Sequence, residues 1–180
     1  SIIESAYASY PVGDRLKLRL DNQRYYETMA GNNGSPFVGL NLGILMHKAF
    51  EEAENVGDIE KALETMTLDG TLSPEEAPEL KTAVAKALSD PLVRSWFDGS
   101  WDSVRTESDI VIPGRATPLR PDRVMMKGDS AVVVDYKFGS VRKKNYAAQT
   151  AGYMELLRQM GYTRTEGYIW YVALNEIEKV

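Results

Sequence analysis

Arg120-Pro121-Asp122-Arg123-Val124-Met125-Met126-Lys127-Gly128-Asp129-Ser130-Ala131-Val132-Val133-Val134-Asp135-Tyr136-Lys137 is the stretch that decides the fold. Lys127-Gly128-Asp129-Ser130 is a tight hairpin signal, since glycine supplies the positive φ that a two-residue turn requires. Counting outward from a Gly128-Asp129 turn, Lys127 pairs with Ser130, Met125 with Val132, and Asp122 falls opposite Asp135. Directly opposed side chains have Cβ atoms about 4.5–5.5 Å apart, where like charges repel. Lys137 lies two residues beyond Asp135 and therefore on the same face of its strand. Residues 131–137 are apolar on both faces through Val134, as a central strand should be. Pro121 could bulge this register. Two readings of the trio remain open. The acids could be strand ends in water with Lys137 relieving their repulsion. Alternatively, they could hold a hard divalent cation, which needs clustered oxygen ligands, beside a lysine able to polarise a water or a phosphate oxygen.

Outward from this hairpin, residues 104–112 read as a strand, Pro113-Gly114 as a turn, and residues 115–126 as a second strand interrupted by Pro118 and Pro121. That register sets Arg120 opposite Glu107. Downstream, residues 142–160 read as a helix ended by Gly161, followed by an aromatic, β-branched strand over 167–173 and a short 176–180 tail. Upstream, Leu16, Leu18 and Leu20 alternate with charges in a strand region over 5–26, and Asn32-Asn33-Gly34-Ser35-Pro36 is a loop. Residues 39–54 take a helical period with Leu40, Gly43, Ile44, His47 and Phe50 on one face. Helices over 59–68 and 74–88 follow, the latter with Ser73 as N-cap and Glu75, Glu76 and Glu79 near its positive end. Asp90-Pro91 opens a short helix through Trp96 and Phe97. Helices, then three strands, a helix and a strand predict a mixed α/β domain.

The chain has 180 residues, enough for one domain with a substantial core, and no repeat or linker divides it. No apolar run approaches the ~18–20 residues that span a bilayer, so no membrane association is expected. Cysteine is absent, which removes disulfides, thiolate zinc sites, iron–sulfur clusters and cysteine nucleophiles, and is in keeping with a reducing cytoplasm. Ser1-Ile2-Ile3-Glu4, with neither Met nor a signal pattern, is read as the start of a piece of a longer protein. The net charge of -5 argues against nucleic acid, but its distribution does not. Arg115, Arg120, Arg123, Lys127, Lys137, Arg142, Lys143 and Lys144 outnumber Asp122, Asp129 and Asp135 in the stretch 115–144, a candidate phosphate-binding surface. From 47 to 109 the balance reverses to fifteen acids and six bases, a solvated helical face.

Pro121-Asp122, twelve residues, then Asp135-Tyr136-Lys137 resembles the PD-(D/E)XK nuclease signature. Gly43-Ile44-Leu45-Met46-His47 resembles the histidine-bearing helix motif of the RecB/AddA-type nuclease domains. Glu107 before the PD motif, Arg120-Pro121-Asp122-Arg123-Val124, Val134-Asp135-Tyr136-Lys137, and Gln149 with Tyr153 follow in that family's order. The likeness runs from about 39 to 172. It implies a restriction-endonuclease-like α/β core, a mixed central sheet flanked by helices with an N-terminal helical insertion. It also implies a single nuclease domain over 1–180, the C-terminal part of a UvrD-like helicase–nuclease. His47, Asp122, Asp135 and the Tyr136 carbonyl would then ligate Mg²⁺, with Mn²⁺ as a substitute, and Glu107 would act close by. Lys137 would activate the attacking water, and Gln149 and Tyr153, one helical turn apart, would position the strand. The implied activity is exonuclease-type hydrolysis of DNA in end processing and recombinational repair. The implied partners are single-stranded DNA from a duplex end, a motor in the same chain and a second helicase–nuclease subunit. No Gly-x-x-x-x-Gly-Lys-[Ser/Thr] stretch is present, so no ATP site is expected here.

Blander readings stand beside these. His47 could be a hydrogen-bonded core residue, Glu107 could simply pair with Arg120, and Tyr146 and Tyr153 could be core packing. Arg142-Lys143-Lys144 could be a solvated helix start, although cations there oppose the helix dipole and DNA phosphate would explain them. Trp96, Phe97 and Trp101 read as core or a lid rather than as base-stacking platforms. A catalytically silent DNA-binding or docking module is the alternative function, and a hydrolase of small phosphate esters a third.

Overall fold

The computed structural model describes residues 36–106, 120–137 and 142–180. The predicted strand region over 5–26, the loop before Pro36, the Pro113-Gly114 turn and Glu107 lie outside the described residues. The chain divides into two compact units, Ser1–Leu40 and Asn41–Val180. Of the first, only the opening turn of a helix is described; everything below concerns the second.

Elements follow in the order α1 (Pro36–Phe50), α2 (Val56–Leu68), α3 (Glu76–Ser89), α4 (Pro91–Trp96), β1 (Ser103–Thr106), β2 (Arg123–Lys127), β3 (Ser130–Lys137), α5 (Lys144–Gln159), β4 (Arg164–Tyr171) and β5 (Glu176–Lys179). The strands form one mixed sheet in the order β1-β2-β3-β4-β5, antiparallel except for the parallel β3–β4 pair that α5 connects. This is the expected restriction-endonuclease-like arrangement, a mixed sheet flanked by helices.

Local chemistry accounts for the boundaries. Asn55 and Asp58 form a reciprocal capping box that opens α2. Ser73, the expected cap, lies in the turn just ahead of α3, whose N-cap position is Glu75; there the Ser73 Oγ accepts from the Glu76 N–H at 3.2 Å and the Glu76 carboxylate from the Ser73 N–H at 3.0 Å. Asp90 accepts from Leu92 and Val93 at the start of α4, with Pro91 at the first turn, where its missing N–H costs nothing. Gly128 supplies a φ of 56° to the β2–β3 turn. The 176–180 tail is a true strand, reached through Asn175 at a φ of 51°, a conformation asparagine tolerates better than most residues.

Alternation along β3 sorts its side chains between two layers. Val132, Val134 and Tyr136 face α1–α4, where Phe50, Trp96 and Phe97 close over Trp170 of β4. Ala131 and Val133 face α5 and pack with Tyr153, Met154 and Leu157. Asp135 and Lys137 share that second face. Trp96 and Phe97 are therefore core, as the blander reading had them.

Three expectations need correction. On α1, Gly43 and Phe50 of the expected face are buried, and Leu45, Met46 and Ala49 with them, whereas Ile44 is 38% exposed and His47 half-buried. Apolar residues surround that helix, and the set Met46, Ala49, Phe50 and Ala53, with its i, i+3, i+4, i+7 spacing, wins the core. The β1–β2 register also differs. Setting Arg120 against Glu107 would place Thr106 opposite Pro121, whereas Thr106 pairs with Arg123. Pro121 has no N–H to give to a ladder, and β2 begins beyond it. Finally, Arg123 is no part of a phosphate-binding surface. It is fully buried beneath the helical layer.

Candidate active site

The β2–β3 ladder pairs Arg123 with Val134 and Lys127 with Ser130, the register expected from the turn. One step further out, Asp122 meets Asp135. The Asp122 Oδ2 accepts the Tyr136 N–H at 2.6 Å, so β3 itself holds this carboxylate in place. Asp135 is 4% exposed. Burial raises the Asp122 pKa well above the usual carboxylate range, and the Asp135 charge and a hydrogen bond with Asp135 push the same way. The Tyr136 N–H and Lys137 oppose these effects without overcoming them. Two acids forced together in a poorly hydrated site retain a proton, or a cation in its place.

Lys137 supplies the cation present. Its Nζ lies 2.6 Å from the Asp135 Oδ2 and 4.5 Å over the ring of Tyr146 on α5. On the same helix the Gln149 Nε2 donates to the Tyr153 hydroxyl at 3.0 Å. Burial raises the Tyr153 pKa first, and the charges of Asp135 and Asp122 add to the shift. The phenol is therefore within electrostatic reach of both acids. What lets α5 lie so close is Gly167 of β4, where a Cβ would come within 2.9 Å of the Thr150 Cγ2 and would also strike Met154. The structure thus brings together Asp122, Asp135, Lys137, Tyr153 and Gln149.

Other expected residues are placed differently. The Tyr136 ring turns to the opposite layer, edge-on to Trp170 with centroids 5.4 Å apart, and burial pushes its hydroxyl pKa up. Only its main chain is at the site. The His47 Nδ1 pairs with the Glu51 carboxylate at 3.1 Å. Among the described residues no group of three His, Asp or Glu side chains is gathered to hold a metal ion. Arg142 pairs with Glu176, lies 3.9 Å from Glu178 and sits 5.0 Å over the Tyr171 ring. Lys143 is exposed. The Lys144 side chain and all of Glu107 lie outside the described residues. Tyr146, for which core packing was one of two readings, touches Lys137. The signal was its spacing of three and seven residues from Gln149 and Tyr153, which puts all three on one face.

The donor set suits a hard divalent cation. Two carboxylates with oxygen ligands only, one of them avid for a positive partner, match the preference of such ions for clustered oxygens.

Among the described residues no helix is long and apolar enough to cross a membrane. A search of curated proteins finds no match. The family model described as PD-(D/E)XK nuclease superfamily matches residues 23–180, most of the chain and all of the site above. A hairpin that opposes Asp122 to Asp135, with Lys137 two residues on, is what that signature looks like once folded, and the chain belongs to the PD-(D/E)XK nuclease superfamily.

Proposed function

We propose that this chain is a divalent-metal-dependent deoxyribonuclease of exonuclease type, the RecB/AddA-like domain of a longer helicase–nuclease that processes DNA ends for recombinational repair in the cytoplasm. The observation that carries the reading is the meeting of Asp122, Asp135 and Lys137 at the end of β3.

Asp122, Asp135, the Tyr136 carbonyl and His47 would hold Mg²⁺ or Mn²⁺, with Glu107 acting nearby. A bound ion of this kind supplies a low-pKa water and offsets charge on the phosphate. The chain's own residues do the rest. Lys137 presents a half-buried ammonium beside the acids, where it can orient a water and stabilise charge developing on the scissile phosphate. Gln149, exposed on α5, would position the strand, and Tyr153, 1% exposed and packed beneath it, would act through its hydroxyl, which accepts from the Gln149 Nε2. Arg142, Lys143 and Lys144 lead into that helix and would contact phosphates, Arg142 by exchanging Glu176 and Glu178 for them. The substrate is a single strand from a duplex end, fed by a motor in the same chain and shared with a second helicase–nuclease subunit.

One observation favours the other reading, a catalytically silent DNA-binding or docking module: the His47 Nδ1 already has a carboxylate partner in Glu51. Incubating the chain with end-labelled single-stranded DNA and Mg²⁺, beside Lys137→Ala and EDTA, separates the two. Degradation lost in both controls supports the nuclease. Intact DNA with Mg²⁺ and with Mn²⁺, together with no divalent-cation binding, supports the silent module.

A further inference from the structure

We infer that Tyr146 is a positioning residue for Lys137, its ring face fixing the ammonium beside the carboxylates. The inference rests on the reading of Lys137 as part of the hydrolytic site.

The Lys137 Nζ lies 4.5 Å from the Tyr146 ring centroid, within the ~6 Å over which a ring face attracts a cation. On its other side is the Asp135 Oδ2 at 2.6 Å. These two contacts act differently. A lysine has a long, flexible stem and a point charge, so one contact leaves its head free to swing. Asp135 is also a shared resource, because any cation placed between the acids draws on the same oxygens and loosens their grip on Lys137. The Tyr146 ring carries no net charge and does not compete for such a cation. Its hold on the ammonium is therefore independent of what the carboxylates bind.

The ring is well fixed for this task. Tyr146 is 9% exposed and packs with Ile169 and Tyr171 of β4, the strand parallel to that of Lys137. It lies three residues before Gln149, on the helical face that Gly167 allows close to the sheet. Tyr146 thus gives Lys137 a rigid wall, while Lys137 itself remains 18% exposed to whatever enters the site.

The test has two readouts. In the metal-free protein, lysines are reductively dimethylated with ¹³C-formaldehyde, which keeps the charge, and the Lys137 resonance is assigned by its loss in Lys137→Arg. It should be shifted upfield by the ring in the wild type and in Tyr146→Phe, and revert to the position of exposed lysines in Tyr146→Leu. In Mg²⁺-dependent hydrolysis of single-stranded DNA, Tyr146→Leu should lower kcat by roughly 10–100-fold with KM within about threefold, the pattern of lost orientation at the reacting centre. Tyr146→Phe should restore kcat to within about twofold, since the ring face is what acts. Tyr146→Met, of similar bulk but without a ring, replaces Tyr146→Leu if that variant does not fold. An unshifted Lys137 resonance in the wild type overturns the inference. So does a ringless variant with wild-type kcat, or a Phe variant as impaired as the ringless one. If Lys137→Ala retains full activity, the reading of Lys137 has failed instead, and the resonance still reports on the contact.

Discussion

Arg123 holds its guanidinium 4.0 Å over the ring of Phe97, with no solvent exposure, one residue from Asp122 of the carboxylate pair. The same group donates to the carbonyls of Ala53, Glu54 at 2.7 Å and Trp96 at 2.6 Å, which closes the ends of two helical segments onto the sheet. Burial lowers the Arg123 pKa from its ordinary value, yet the group remains a cation at any pH at which the protein is folded. The planar fork matters here because it reaches several acceptors at once. Arg123→Leu strands these carbonyls and should cost about 3–5 kcal/mol, by the scale for breaking a buried charged network. Arg123→Lys should recover only part of that. Urea unfolding measures both, and a lysine variant as stable as the wild type would refute the fork argument.

Asp122 and Asp135 should weaken the metal-free protein. The raised Asp122 pKa means that the folded state favours its proton, so this stability is present at low pH and declines as pH rises through the folded value. At neutral pH, Asp122→Asn should therefore melt a few degrees higher than the wild type in EDTA, because an amide can still accept from the Tyr136 N–H and can donate to Asp135. Mg²⁺ or Mn²⁺ should raise the wild-type Tm and leave that of the variant nearly unchanged, and the variant should not hydrolyse DNA. Thermal melts with and without EDTA decide it; a destabilised Asp122→Asn would contradict the account.

Gly167→Ala tests how closely α5 must lie. The added methyl meets the flexible Met154, which can swing aside, and the stiff, β-branched Thr150 at 2.9 Å, which cannot, so α5 must shift on the sheet. We expect a loss of about 1–3 kcal/mol, the usual scale of overpacking. Activity should fall by more than stability explains, since Tyr146, Gln149 and Tyr153 ride on that helix. Pairing Gly167→Ala with Met154→Ala should return part of both.

At the other end of β3, Asp129 ties the hairpin turn to the start of β4. It accepts from the Thr163 hydroxyl at 2.7 Å and from the Arg164 guanidinium at 2.5 Å, which lower its pKa. A depressed folded value means that this stability is present above the ordinary pKa of 3.8 and is lost as pH falls through the folded one. Asp129→Asn should therefore melt below the wild type at pH 7, and the gap should close on acidification below about 3.8. A gap that is constant with pH would mean that geometry, not charge, makes the contribution.

The central hairpin was legible because two independent constraints agree there: the turn chemistry of Gly128-Asp129 and the hydrophobic run of β3. Where only one constraint operated, the reading slipped. Pro113-Gly114 signals a turn without setting a register, and Pro121, just before β2, bars the ladder that the expected pairing with β1 needed. Apolar residues surround α1, so periodicity could not fix its inner face, and a face rightly holding Gly43 and Phe50 was read too far round, to Ile44 and His47. Arg123 shares its face of β2 with Met125, yet its charge marks it as a surface residue. Its burial follows from helix ends 27 and 70 residues away, Trp96 and Ala53, which no local pattern encodes. Tyr146 was ambiguous for a different reason, since packing and contact with Lys137 require the same helical spacing.

Phe50, Trp96, Phe97, Tyr136 and Trp170 meet where the helical layer covers the sheet, with the two indoles 5.8 Å apart and at 70°. Two indoles so close and so inclined couple their electronic transitions, which makes that seam an optical gauge built into the chain. The third tryptophan, Trp101, is outside the pair and only partly covered. The coupled circular-dichroism signal should therefore report whether α1–α4 are seated, while α5 and the acids, on the far face of the sheet, add no indole to it.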